Sequence, residues 1–164
     1  MHAPLFATLR KHFPDPERMG IEELYRWIGY PENAVDISFA NTGAVRMSLA
    51  LLGAGFPNPG LFRVKAGRYK GRMLETRQRM LCDFLTRQLE APEKYSNGQD
   101  AEQLIGSRHG IIAFFQLHGP ADNPGHMALV ERTTWDSFRA GTPGGDRPGG
   151  CFWDAVDVWF WPFP

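Results

Sequence analysis

A chain of 164 residues with 43% hydrophobic content is the size of one domain, and it can bury roughly 70% of its unfolded surface without disulfide or metal staples. Lysine plus arginine and aspartate plus glutamate each number 18, which excludes the strongly basic balance behind salt-dependent affinity for nucleic acid. Residues 1–12 hold neither the apolar core of a Sec signal nor a small-residue cleavage site, and no run reaches the roughly 18 apolar residues of a membrane span, so neither a Sec address nor membrane insertion is expected.

Glycines and prolines punctuate the chain without opening a long polar linker, which predicts a single domain over residues 1–164. Over residues 17–28, Met19, Ile21, Leu24, Trp27 and Ile28 recur at helical intervals and Gly29 and Pro31 stop the pattern, predicting a first helix. After the polar pair Asn41-Thr42, Val45, Leu49 and Leu52 predict a buried second helix, with Gly53 and Gly55 at its end. Residues 74–89 carry an apolar stripe through Met80, Leu81, Phe84, Leu85 and Leu89, broken by charges that read as a solvated face, predicting a third helix. Three segments then have strand character: 110–117 (GIIAFFQL), 126–132 (HMALVER) and 155–161 (AVDVWFW). Helices first and strands later predict an α+β domain with helices on one side of an antiparallel sheet.

Cys82 and Cys151 are too few and too far apart for a zinc pattern. A disulfide between them stays open, although Cys82, among Leu81, Phe84 and Leu85, reads as a buried free thiol. His2, His12, His109 and His118 show no metal-ligand spacing, so no metal and no cofactor are expected. Residues 139–150 (RAGTPGGDRPGG) are glycine-rich but lack the Gly-Lys-Ser/Thr of a phosphate-binding loop.

The run Asn41-Thr42-Gly43-Ala44-Val45-Arg46-Met47-Ser48 carries the functional information. It resembles the motif Asn-x-Cys-Ala-[Val/Ile]-Arg-[Met/Leu]-Ser of the Tae4 amidase effectors of type VI secretion, in which the cysteine is the nucleophile. Every position fits except the third, where Gly43 stands. A cysteine in the first turn of a helix is activated because the unpaired N–H groups and the macrodipole favour the thiolate; glycine has no side chain to do this. Without the family, Gly43 reads as a helix-start glycine or a place of close backbone packing. Because one base change converts a cysteine codon to a glycine codon, a selected or deliberate loss and a naturally degenerate effector both remain open.

The resemblance extends to Gly125-His126, which match the family's general base at a strand start. An imidazole with a pKa near 6.5 can accept the thiol proton and return it to the leaving amine. Asp136 stands where the family places the carboxylate that orients this histidine, with Glu131 as the competing acid. Val158-Trp159-Phe160-Trp161-Pro162 resembles the closing strand, and residues 139–150 fall near the substrate groove. The resemblance implies a papain-like NlpC/P60 fold and a DL-endopeptidase that cleaves between D-glutamate and meso-diaminopimelate in the peptidoglycan stem peptide. It further implies synthesis in the cytoplasm, delivery by type VI secretion to the periplasm of a competitor, and inhibition by a Tai4 immunity protein. With Gly43 the chain is expected to be inactive. Two other readings stay open: a naturally non-catalytic module that binds cell-wall peptides or a partner, and an unrelated α+β protein whose motif is coincidental. Arg46 reads as a substrate clamp or as an internal structural cation.

Overall fold

The computed structural model of the chain describes residues 3–115, 125–131, 153 and 155–164. Helix α1 (Ala3–His12) precedes α2 (Ile21–Ile28), two 3-10 turns (Pro31–Val35 and Ile37–Phe39) and α3 (Gly43–Gly53). A short hairpin of β1 (Phe62–Arg63) and β2 (Met73–Leu74) leads to α4 (Gln78–Gln88). Then follow β3 (Glu93–Tyr95), α5 (Gly98–Ile105), β4 (Gly110–Phe115), β5 (Gly125–Val130) and β6 (Asp157–Pro162). Among the described residues four main strands form an antiparallel sheet in the order β3-β6-β4-β5. The architecture is α+β, as expected.

Strand β4 is buried along its whole length because both faces of the sheet are covered. On one face, Ile111, Ala113, Met127, Leu129 and Trp161 pack against α1, α3 and α4. On the other, Ile112, Phe114, Ala128 and Val130 meet Ala101 and Ile105 of α5 and Trp153. The expected one-sided layering is therefore incomplete: a sheet whose strands are apolar on both faces needs a second cover, and α5 supplies it. A third apolar cluster lies on the outer side of α3, where Val45, Leu49 and Leu52 meet α2, Val64 and Leu74. Burial of α3 on all sides explains its nearly uncharged sequence.

Helix α2 begins at Ile21 and ends at Ile28, capped by Gly29, whose φ of 90° is the left-handed geometry that closes a helix. The helix predicted from residue 74 starts at Gln78, since Met73 and Leu74 are paired with β1 and Glu75 holds the backbone of Arg77 in a turn. The three predicted strands are present, described as 110–115, 125–130 and 157–162.

Candidate active site

The start of α3 is fixed by Asn41 acting in two directions. Its side-chain oxygen accepts the Gly43 N–H at 3.3 Å, and its amide nitrogen donates to the Gly125 carbonyl at 2.7 Å. One side chain thus joins the helix start to the residue preceding His126. Gly125 is also hemmed in: a Cβ there would run into the Phe114 carbonyl oxygen and come within 2.9 Å of the Gln78 side-chain amide. Gln78, the first residue of α4, donates to that same Phe114 carbonyl at 2.8 Å. The starts of α3 and α4 therefore converge on the first residues of β5.

Gly43 lies against the backbone of β5. A Cβ at this position would stand 2.8 Å from the Met127 nitrogen, 2.9 Å from its carbonyl oxygen and 3.3 Å from its Cβ. The Gly125 carbonyl, two residues earlier and of the same strand parity, likewise turns to the start of α3, where it accepts from Asn41. Separations below 3 Å to backbone atoms cannot be relieved by turning a side chain. The helix start and strand are packed for glycine, as the plainest sequence reading anticipated.

His126 is buried and stacks on its cross-strand partner Phe114, with ring centroids 6.4 Å apart and planes 19° apart. Alternation puts His126 on the α5 side of the sheet and Met127 on the α3 side. The nearest neighbours of the absent Gly43 side chain are thus atoms of the residue after His126. Glu131 lies five residues along an extended strand, about 17 Å away, and accepts a hydrogen bond from Arg10 Nε at 2.7 Å. It cannot orient the imidazole. Asp136, Cys151 and the glycine-rich segment 139–150 lie outside the described residues.

Several other motif residues are structural. Arg46 is buried and donates to Thr42 Oγ1 at 2.8 Å and to the Pro14 and Met19 carbonyls at 2.7 Å each, tying the loop after α1 to α3. Ser48 Oγ donates to the Glu75 carbonyl at 2.8 Å and accepts the Glu75 N–H at 3.2 Å, fastening α3 to the end of β2. Cys82 is a free, fully buried thiol, and burial pushes its pKa up, so it is no nucleophile. Among the described residues no three or more metal-ligating side chains gather, and no helix is long and apolar enough to cross a membrane.

This α+β fold is that of amidase effectors of type VI secretion. The crystal structure of the Tae4 effector from Enterobacter cloacae superposes with a TM-score of 0.65 at 23% identity, covering 97% of this chain and 96% of that one. The Enterobacter cloacae Tae4–Tai4 complex matches with a TM-score of 0.65 at 22% identity, covering 97% and 98%. The Salmonella typhimurium Tae4 structure in complex with Enterobacter cloacae Tai4 matches at 0.61 and 20%, covering 97% and 96%. No curated protein sequence matches the chain. The family model described as Tae4, type VI secretion system amidase effector protein 4, matches residues 39–161. The chain belongs to the Tae4 family. Membership removes the reading of a coincidental motif.

Proposed function

We propose that the chain is a peptidoglycan amidase effector lacking only its nucleophile, and that the start of α3 against the His126 end of β5 is its active site. The observation that carries this reading is the Asn41 bridge from the Gly43 N–H to the Gly125 carbonyl, which joins the nucleophile position to the residue before the histidine. With Gly43→Cys, the thiolate attacks the carbonyl carbon between D-glutamate and meso-diaminopimelate, and N–H groups of the first turn of α3 stabilise the oxyanion. His126 gives the thiol proton to the leaving amine as the C–N bond breaks, Asp136 orients the imidazole, and water releases the acyl group. The route implied is type VI delivery to a competitor's periplasm, and the Tae4–Tai4 complexes support a Tai4-type immunity partner.

Digestion of purified sacculi, with products resolved by mass, tests the reading. The Gly43 chain is expected to release nothing, Gly43→Cys to release D-glutamate-terminated fragments, and Gly43→Cys with His126→Ala to release none. A folded Gly43→Cys protein that leaves sacculi intact overturns it. One observation favours a second reading, a module that binds cell-wall peptides without cleaving them: a Cβ at position 43 would stand 2.8 Å and 2.9 Å from Met127 backbone atoms, which must shift to admit a side chain. That reading predicts stem-peptide binding without turnover even after cysteine is introduced.

A further inference from the structure

Arg79 and Lys94 converge on one aromatic ring. The Arg79 guanidinium carbon lies 4.4 Å from the centroid of Phe115 and 4.7 Å from that of Trp159, while Lys94 Nζ lies 3.8 Å from Trp159. Both residues are exposed. No described carboxylate lies within ion-pair distance of either: Asp157 instead accepts the Trp159 indole N–H at 3.3 Å. Arg77, two residues before Arg79, is already committed to both oxygens of Glu75. A guanidinium held over aromatic faces keeps its planar N–H edge available for a carboxylate, and its fixed position lowers the ordering cost of binding.

The position matters as much as the chemistry. Phe115 pairs with Gly125, and Lys94 pairs with Trp159, so the two cations lie along the line from β5 through β4 and β6 to β3. With strands about 4.8 Å apart, Arg79 stands about 5–10 Å from β5 and Lys94 about 14 Å. An extended peptide rising about 3.3 Å per residue reaches the first in two or three residues and the second in about four. We infer that Arg79 and Lys94, seated on Phe115 and Trp159, form a carboxylate-recognition subsite for an acidic peptide whose main chain passes the start of α3. The inference rests on the proposed function and specifies which feature of the stem peptide is read.

The Gly43 chain allows an equilibrium test because the proposed reaction needs a nucleophile it lacks. Binding of a synthetic stem tetrapeptide with free carboxylates is compared with binding of the same peptide amidated at those groups. The parent chain is expected to prefer the free acid at least tenfold. Arg79→Gln is expected to erase that preference, Arg79→Glu to reverse it, and Lys94→Gln to weaken it by a smaller factor. Equal affinity of the parent chain for both peptides, or an unchanged preference in folded Arg79→Gln, overturns the subsite and leaves the amidase reading standing. Absence of any binding to either peptide removes the subsite, and sacculus digestion by Gly43→Cys then decides separately whether the amidase reading survives.

Discussion

At position 43 two effects of a new Cβ oppose each other. Replacing glycine in the first turn of α3 lowers the conformational cost of the helix by up to about 1 kcal/mol, whereas forcing a carbon against the Met127 backbone costs about 1–3 kcal/mol. Gly43→Ala and Gly43→Cys should therefore both be less stable than the parent chain, and by similar amounts because they share the same Cβ. Urea unfolding checks this, and an alanine variant at or above parental stability would show that the helix start yields freely. Arg46 is a separate case. Arg46→Ala removes three charge-assisted hydrogen bonds and is expected to cost at least about 2 kcal/mol in the same assay. Arg46→Lys should recover little, because an ammonium lacks the guanidinium fork that spans Thr42, Pro14 and Met19. The motif around Gly43 and the Gly-His pair were readable because they are local strings of unusual residues. The role of Arg46 was legible only as an alternative, since its acceptors are carbonyls distant in sequence. Gln78 and Arg79 were not readable as site residues: polar groups on an amphipathic helix look alike until the sheet end beneath them is known.

Among the elements, the junction of β2 and α4 carries a buried carboxylate. Burial alone would raise the Glu75 pKa, but the Arg77 hydrogen bonds and charge outweigh it and the net shift is downward. A depressed folded-state pKa stabilises the protein above the unfolded carboxylate value of about 4.3 and ceases to do so as pH falls through the folded value. Glu75→Gln should therefore be less stable than the parent at pH 7, and the gap should narrow between about pH 5 and pH 3. A gap that stays constant with pH would contradict this account. The same junction shows why one predicted helix began too early: Met73 and Leu74 continue the apolar stripe, but their pairing with Arg63 and Phe62 claims them for a strand. Helix α5 was missed although Asn97 caps it by accepting the Asp100 N–H at 2.8 Å. Its eight residues are too few for periodicity to be decisive. Strand β3, three residues long, is defined by its pairing with β6 and has no local signature.

Across the molecule, the order of helices and strands was sufficient to predict an α+β fold, but not the covering of both sheet faces, because apolar alternation does not reveal what lies beyond a strand's second face. The layered arrangement has a functional consequence: α3 and α4 are anchored by core contacts on one face and bring their starts together at the first residues of β5. Export of the proteins to the periplasm of a Gram-negative host, with lysis followed, decides whether the active site proposed at the start of α3 lacks only a thiol. The exported Gly43 chain is expected to be tolerated, exported Gly43→Cys to lyse the cells, and the same variant to be harmless when retained in the cytoplasm or combined with His126→Ala. Lysis by the Gly43 chain, or normal growth with a folded and exported Gly43→Cys protein, would overturn the proposed function.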